Sequence, residues 1–305
     1  MKARIKSYID GIAYFRPFGL KMVWNLVFKC RRLPYGIRVA HEMSYKYEFL
    51  KRKFKNIDIS DTLVPEDNNG PLWFCWWQGR EAMPEIVAAC YRQLCKNKPV
   101  GRDIVFIEES NYKDYVSLDP IILDKFNKGV ISITHLSDIL RANLLYSYGG
   151  IWVDATILCP SGLDDDLLNK PFFSISVPDK TQYISKGLWC GFLMGGCAGN
   201  PVFKFLSDCF NDYWNKYDRL VDYYMIDYII AIAFERDISV RKSISGNSLS
   251  LPELYALQHS LNATFDEHHK DILTKNPFHK LTWKGEFVDS LQSEKKTVRE
   301  YIISL

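Results

Sequence analysis

The sequence lacks the motifs of several large enzyme classes. It has no P-loop of the form GxxxxGK[ST], no GxGxxG after a predicted strand, no HExxH and no GxSxG. The absence of these motifs argues against the common classes of ATPase, dehydrogenase and hydrolase. The chain also shows no internal repeat and no low-complexity tract.

Membrane-spanning and disulfide signals are missing as well. No segment reaches the roughly 18 apolar residues of a transmembrane helix, and the N-terminus has no uninterrupted apolar core of a signal peptide. None of the 8 cysteines forms a CxxC pair, and most lie in apolar runs, where a thiol packs as a small hydrophobe. We therefore expect a cytoplasmic protein without disulfides or zinc, whose membrane contact, if any, is peripheral on the inner face of the plasma membrane.

Charge is distributed unevenly along the 305 residues. Residues 1–55 hold 14 Lys/Arg against 3 Asp/Glu, whereas the rest of the chain holds 25 against 33. The basic segment is also rich in aromatic residues, which suggests attachment to an anionic membrane surface. A solvated surface on packed helices is an equal alternative, and a nucleic-acid contact is a further one that we disfavour.

Four segments are predicted. Residues 1–55 are a basic helical extension broken near Pro17 and Pro34, and residues 56–71 are a loop dense in Asp, Asn, Pro and Gly. Residues 72–288 form the main domain, and residues 289–305 a polar C-terminal helix. A hydrophobic content of 47% predicts a large buried core in the main domain.

Strands and helices alternate in the main domain. The predicted strands are 72–77, 103–108, 129–134, 151–158 and 172–177, and the predicted helices are 84–95, 120–126, 201–217 and 221–235, with a loop at 243–252. This order is typical of an α/β fold with a mixed, mostly parallel sheet flanked by helices. Ligands bind beyond the carboxyl ends of such strands, where we expect residues 76–78, 108–109 and 154–156 to line one cleft.

The segment 137–159 reads as helix, tight turn and strand. Ser137 is expected to cap the helix, and Gly149 and Gly150 to end it, because glycine tolerates the left-handed conformation of a helix stop. The following strand should carry Trp152, Asp154 and Thr156 on the face opposite its apolar side chains.

A carboxylate inside a hydrophobic strand requires a charged partner. Arg141 or a metal ion could meet Asp154 in this way. Asp138 lies three residues before Arg141 and therefore on the same side of the helix. The pair is either a local ion pair or part of a ligand site.

The motif S-D-I-L-R, a leucine-rich helix and Y-G-G-I-W-V-D-A-T resembles the core of GT-A glycosyltransferases related to glycosyltransferase family 32, in particular the bacterial capsular polysaccharide synthesis proteins. It is more distantly similar to the yeast-type initiating mannosyltransferases and to the catalytic domain of the large glucosylating toxins. W-W-Q-G and I-E-E-S-N-Y before this motif and F-H-K-L-T-W after it lie in the same order as in the family, so the resemblance covers about residues 70–285. It implies a GT-A, Rossmann-like fold of nucleotide-diphospho-sugar transferases.

The resemblance also implies a function. A hexose or N-acetylhexosamine would pass from a nucleotide-sugar, with UDP as the expected nucleotide, to a glycan or lipid-linked acceptor with retention, giving an α-linkage in capsule or surface polysaccharide. A divalent cation, Mn²⁺ or Mg²⁺, would assist the departure of the diphosphate. Two alternatives are a non-catalytic nucleotide-sugar-binding scaffold and a sugar-phosphate transferase.

The resemblance assigns roles to three groups of residues. The expected catalytic set is Asp138, Arg141 and Asp154. The expected metal ligands are Asp154, Thr156 and His279, although Thr156 replaces the second carboxylate of the family's D-x-D pair. The expected donor-binding residues are Asp138 and Arg141 together with Trp76, Trp77, Gln78, Trp152 and Lys280.

Some of these residues have a structural alternative. Trp76 can stack on the nucleobase or fill the core, and His279 can bind metal or support a turn. Asp227, Glu108 and Glu109 can orient the acceptor, but a solvated helix face or strand end is the simpler interpretation of each.

Overall fold

The N-terminal segment folds into helices. The structure, a computed structural model, describes residues 2–59, 67–178, 183–246, 248–288 and 295–305. Helices α1 (Lys2–Phe15), α2 (Leu20–Val23) and α3 (Tyr35–Lys53) come first, with a π-helical turn at Trp24–Lys29. The helices break at Pro17 and Pro34 as predicted, because proline fixes φ and has no N–H to donate. The predicted loop 56–71 lies partly outside the described residues.

The centre of the molecule is a mixed sheet. Its strands and two short ones are β1 (Leu72–Cys75), β2 (Ile104–Ile107), β3 (Gly150–Val153), β4 (Ile157–Leu158), β5 (Phe172–Ser176), β6 (Leu193–Gly196), β7 (Ser248–Ser250) and β8 (His279–Lys280). Among the described residues, six strands form one sheet in the order β2-β1-β3-β6-β5-β7. Strands β2, β1 and β3 are parallel, and β6 runs antiparallel to both β3 and β5. Strands β4 and β8 pair separately.

Helices cover both faces of this sheet, which confirms the predicted α/β class. They are α4 (Glu85–Asn97), α5 (Pro120–Asn127), α6 (Ile133–Tyr148), α7 (Asp165–Leu168), α8 (Pro201–Lys216), α9 (Met225–Arg236), α10 (Ile238–Gly246), α11 (Ala256–His259), α12 (Glu267–Lys275) and α13 (Val298–Ser304). Alternate strand residues face opposite sides. Trp73 and Trp152 join the core under α6, α8 and α9, whereas Leu72 and Ile151 join the core of the other face. None of the helices over the described residues is long and apolar enough to cross a membrane.

The predicted start of the central helix is wrong. Helix α6 begins at Ile133, because Ser132 caps it by accepting a hydrogen bond from the His135 backbone N–H (3.2 Å). Ser137 lies inside the helix, where its hydroxyl donates to the Thr134 carbonyl (2.6 Å). The predicted strand at 129–134 is absent for the same reason, since the described chain turns there directly into α6.

The predicted strand 151–158 is two strands. Strand β3 ends at Val153, and residues 154–156 form a tight turn in which the Ile157 N–H donates to the Asp154 carbonyl (2.9 Å). The turn ends strand β3 before Asp154, whose backbone N–H still donates to the Phe192 carbonyl (2.9 Å). The helix end is as predicted: Gly149 and Gly150 have φ of +65° and +90°, and a Cβ on Gly150 would lie 2.1 Å from the Pro71 carbonyl oxygen.

Two boundaries further along also differ from prediction. Helix α9 begins at Met225 rather than 221, because Asp222 accepts a hydrogen bond from the Tyr224 N–H (2.8 Å) and holds a turn before it. The predicted loop 243–252 contains the end of α10 and strand β7, which pairs with β5. Of the predicted tail 289–305, helix α13 is described, and its Val298 and Ile302 are buried against α4. Residues 289–294 lie outside the described part of the chain.

Candidate functional site

The carboxyl ends of the parallel strands meet at one edge of the sheet. Phe74 of β1 pairs with Val153 of β3, so the residues that follow both strands leave the sheet side by side. A cavity of about 630 Å³ lies beyond β3, a size that suits a small-molecule ligand. Its charged end is lined by residues from α6, the turn after β3, and β8, namely Asp138, Arg141, Asp154, Thr156 and Lys280.

Asp154 is the centre of the charged end. Its Oδ1 accepts hydrogen bonds from Trp152 Nε1 (2.8 Å) and Arg141 Nη2 (3.2 Å), and its Oδ2 accepts one from Lys280 Nζ (3.0 Å). Burial alone would raise the pKa of Asp154. The positive charges of Lys280 and Arg141, with the Trp152 hydrogen bond, outweigh burial and hold the pKa below its usual value, so the carboxyl is ionised at neutral pH.

Arg141 is a buried cation with only 4% of its surface exposed. Its Nη2 lies 3.3 Å from Asp138 Oδ1 as well as 3.2 Å from Asp154, and its Nη1 donates to the Gly191 carbonyl. The guanidinium also stacks 4.9 Å from the centroid of the Trp152 ring. The Arg141 Nε has no hydrogen-bond partner among the described residues. The guanidinium is therefore held in place but does not use all of its N–H donors.

His135 lies behind Asp138 without a hydrogen bond to it. The His135 Nδ1 is 3.6 Å from Asp138 Oδ2 and has no hydrogen-bond partner among the described residues, whereas its Nε2 accepts a hydrogen bond from Trp214 Nε1 (3.0 Å). Asp138 therefore has one oxygen beside Arg141 and one beside the His135 ring.

Trp152 supports this cluster without reaching the ligand space. It is 1% exposed and does not line the cavity. Its indole N–H fixes Asp154, and its ring lies under Arg141. Trp152 thus holds Asp154 and Arg141 in place, and its role in donor binding stays a prediction.

The aromatic part of the lining, called the aromatic end, contains one carboxyl, Asp227, which lies close to Arg141: a Cβ on Gly191 would be 3.2 Å from Arg141 Nη1 and 3.9 Å from Asp227 Oδ1. The aromatic lining residues there are Tyr183, Trp189, Tyr223, Tyr224 and Tyr255. Trp189 Nε1 donates to Asp227 Oδ1 (2.9 Å). Burial raises the pKa of Asp227 to about 7, because the Trp189 hydrogen bond and the Arg141 charge only partly offset burial and the nearby Asp138 carboxylate. Asp227 therefore exchanges a proton near neutral pH.

The three residues after β1 that were predicted to bind the donor, Trp76, Trp77 and Gln78, are not among the residues that line the cavity. Trp76 donates from Nε1 to the Ala82 carbonyl (3.2 Å) and packs edge-on against Trp283 (5.6 Å), which does line the cavity. Trp77 packs against the core of the other side, and Gln78 is exposed. Trp76 thus reaches the rim through Trp283. Glu108 and Glu109 are not among the lining residues either.

His279 is separated from the other predicted metal ligands. It is fully buried, and its Nε2 faces the Leu273 carbonyl (3.3 Å). Burial lowers the pKa of its ring to about 4, so it stays neutral. Since His279 and Lys280 are neighbours in β8, they point to opposite sides, and only Lys280 lines the cavity.

The donor set does not fit a divalent cation held by the protein alone. Both oxygens of Asp154 already accept from cationic or N–H groups, and Thr156 offers only a hydroxyl, a weaker ligand than a carboxylate. Within the described residues, no group of three or more His, Cys, Asp and Glu side chains is arranged to hold a metal. The Lys280 ammonium is itself 3.0 Å from Asp154 Oδ2.

Sequence reasoning gave no role to Trp189, to His135 or to the tyrosines of the aromatic end. His135 precedes Asp138 by three residues, and that spacing could have suggested contact. Trp189 and Asp227 are 38 residues apart, and no local pattern connects them.

The chain is similar to known proteins at the level of a sequence family and of a solved structure. The sequence profile of a family described as capsular polysaccharide synthesis protein matches residues 38–302. A solved structure titled PaToxG Glycosyltransferase is similar over 68% of this chain and 84% of that chain, with 14% identity and a TM-score of 0.39, which is too distant to support an inference. The search of curated proteins gave no match.

Proposed function

The chain belongs to the capsular polysaccharide synthesis protein family, and from this premise we propose that it is a glycosyltransferase of the GT-A type. It transfers a hexose or N-acetylhexosamine from a nucleotide-sugar, with UDP as the expected nucleotide, to a glycan or lipid-linked acceptor. The anomeric configuration is retained. The product is part of a capsular or surface polysaccharide.

The observation that carries this proposal is the pair of cations in the charged end of the cavity. Arg141 and Lys280 lie on either side of Asp154 and line the same space. Departure of a nucleoside diphosphate places new negative charge on its phosphate oxygens, and fixed cations stabilise that charge. A loss of one such interaction typically lowers the rate by about a hundredfold.

The remaining residues divide the cavity between two substrates. Asp138 accepts hydrogen bonds, so it suits the hydroxyl groups of the donor sugar beside Arg141. The aromatic end around Asp227 suits a second sugar, because flat rings pack on the apolar faces of saccharides and a carboxyl can accept from the attacking hydroxyl. In a retaining reaction on one face, the leaving diphosphate itself can take up the acceptor proton.

Positive charge in this mechanism comes from side chains. Lys280 Nζ lies 3.0 Å from Asp154 Oδ2, and Thr156 replaces the second carboxylate of the family's D-x-D pair. We therefore expect Lys280→Met to lower kcat about a hundredfold and Lys280→Arg to restore part of the loss. EDTA should leave the turnover of the unchanged protein within about threefold.

The proposal is tested by product analysis. The purified protein is incubated with UDP- and GDP-sugars, with and without acceptor, Mn²⁺ and EDTA, and the released nucleotide is separated by chromatography. Release of nucleoside diphosphate supports the proposal, and release of monophosphate would assign a sugar-phosphate transferase instead. Binding of the donor, seen as a rise in Tm, with neither transfer nor hydrolysis would identify a scaffold.

Asp154→Ala is the variant that checks the site itself. It should abolish transfer while the protein keeps its circular dichroism spectrum, since Asp154 orients both cations. Asp271→Ala, on the exposed face of α12, is a matched control that should remain active. Unchanged turnover in Asp154→Ala would place the reaction elsewhere.

A further inference from the structure

The N-terminal arm, defined as residues 5–38, holds large apolar side chains in contact with solvent. Their exposed fractions are 80% for Leu20, 72% for Tyr35, 61% for Trp24, 60% for Ile9, 59% for Ile37 and 53% for Ile5. A single exposed leucine is ordinary, but a group of this density marks a contact surface.

The exposed apolar side chains are not the ones that hold the arm on the main domain. Its inner face is already buried, since Phe18, Met22 and Leu26 belong to the main core and the Phe18 ring lies 5.3 Å from the ring of Tyr217. The Arg219 guanidinium also donates to the Ala13 carbonyl (3.0 Å). The inner face therefore holds the arm on the main domain, and the outer apolar side chains remain available to bind a partner.

The part of this outer face around Leu20, Trp24 and Ile5 is one connected surface over α1 and α2. Leu20 and Trp24 are four residues apart and so lie on one side of α2 and its π-helical turn. The Trp24 ring lies 5.8 Å from the Phe28 ring, which in turn stacks on Tyr8 of α1 at 5.8 Å. Ile5 lies one turn before Tyr8 on α1.

Basic side chains surround this surface, and acidic ones are scarce. Between residues 11 and 41 the sequence has no Asp or Glu. The exposed basic residues of the arm are Lys6, Arg16, Lys21, Lys29, Arg31 and Arg32. None of them makes a salt bridge within the described residues. Their charge is thus available to an external anion.

We propose that the outer surface of residues 5–38 binds the anionic surface of a lipid bilayer. The basic side chains meet the lipid phosphates, and Leu20, Trp24 and Ile9 enter the boundary between headgroups and acyl chains. Tryptophan favours this boundary, because its ring is apolar and its N–H remains in the wet layer.

A bilayer explains the surface better than nucleic acid does. Phosphates of RNA or DNA would neutralise the Lys and Arg side chains but would leave Leu20, Ile9 and Ile37 in water. Base stacking could use Trp24 but not the aliphatic side chains. Only a ligand that is both anionic and apolar satisfies the two features together.

Vesicle flotation of the full-length protein tests the proposal. We expect about tenfold stronger binding to phosphatidylcholine vesicles that contain phosphatidylglycerol than to phosphatidylcholine alone. Leu20→Ala/Trp24→Ala should weaken binding to the mixed vesicles about tenfold, and Lys21→Glu/Arg32→Glu should abolish the preference for them. Salt should weaken the parent protein far more than it weakens the charge variant.

Matched controls separate a surface effect from unfolding. Val100→Ala/Ile238→Ala removes side chains that are equally exposed elsewhere, and Lys242→Glu/Lys275→Glu makes the same charge change away from the arm. Both should bind as the parent does, and all variants should keep the parent Tm. Equal binding to neutral and mixed vesicles, parent-like binding by Leu20→Ala/Trp24→Ala, or tighter binding to an RNA oligomer than to vesicles would each overturn the proposal.

Discussion

Replacement of Asp227 by asparagine should make the protein more stable and less active. The Asp227 carboxyl lies partly buried at the aromatic end of the cavity, and burial raises its pKa from 3.8 to about 7. Above that pH it is ionised in the fold at a cost in free energy. Asparagine has the same shape, cannot ionise, and can still accept the hydrogen bond from Trp189 Nε1 (2.9 Å).

The sign and size of the effect follow from linkage. Since the folded pKa is above the unfolded one, the folded state binds more protons, and its stability is full at low pH and falls as the pH rises from 3.8 through about 7. At 1.36 kcal/mol for each pH unit, ionisation of Asp227 would remove about 3 kcal/mol between about pH 5 and pH 8 if the carboxyl were fully buried. Because the side chain also faces the cavity, we expect about 1–2 kcal/mol.

Urea denaturation followed by tryptophan fluorescence measures this difference. The unfolding free energy of Asp227→Asn minus that of the parent should grow by about 1–2 kcal/mol when the pH is raised from about 5 to 8. Titration of other groups cancels in this double difference. Asp271→Asn, an exposed carboxylate on α12, should show no such growth.

Activity supplies the second half of the test. If Asp227 accepts from a substrate hydroxyl, kcat/KM of Asp227→Asn should fall at least about tenfold at pH 8, despite the higher stability. A stability difference that does not change with pH would refute the account of its ionisation. Full activity in a stabilised variant would refute contact with substrate while leaving the electrostatic argument intact.

Three further substitutions address the charged end and its surroundings. Arg141→Lys should lower kcat about a hundredfold, because an ammonium cannot meet Asp138, Asp154 and the Gly191 carbonyl at once, and steady-state kinetics with the donor will show this. Trp152→Phe removes the N–H that holds Asp154 Oδ1 and should raise the pKa of Asp154, so the acid limb of the pH–rate profile moves to higher pH. His279→Gln should lower the unfolding free energy by about 1–3 kcal/mol and leave kcat and KM unchanged. If the variant instead loses an activity that added metal stimulates in the parent, His279 is a metal ligand as the sequence predicted.

The parts of the site that were predictable are those whose geometry is local. Asp138 and Arg141 lie one turn apart in a helix. The helix ends at Gly149, and the strand that follows brings Asp154 back next to Arg141. Periodicity and turn chemistry are sufficient for this much. They also predicted strands β1, β2 and β5 and helices α4, α5 and α8 along the chain, but they placed a strand at 129–134, where α6 begins, and a loop where β7 lies.

The remaining parts depend on long-range pairing, which periodicity does not encode. Lys280 reaches Asp154 across 126 residues only because β8 pairs with β4, and the pleat of β8 decides that Lys280 rather than His279 faces the cavity. Nothing in the sequence of a two-residue strand fixes that choice. The Trp189–Asp227 bond likewise forms between two segments that meet only in the fold.

Helix α3, which begins within the arm at Tyr35, continues to the side of the main cavity and relates the two proposals. A small cavity of about 150 Å³ is lined by Met43 and Lys46 of α3 and by Tyr183, Tyr224 and Asp227, and the last three also line the main cavity. The aromatic end therefore lies beside α3. If the outer surface of residues 5–38 holds the bilayer, a lipid-linked acceptor reaches Asp227 first, and the soluble donor enters at Arg141 and Lys280. The position of α3 alone thus favours acceptor binding at the aromatic end over donor binding there.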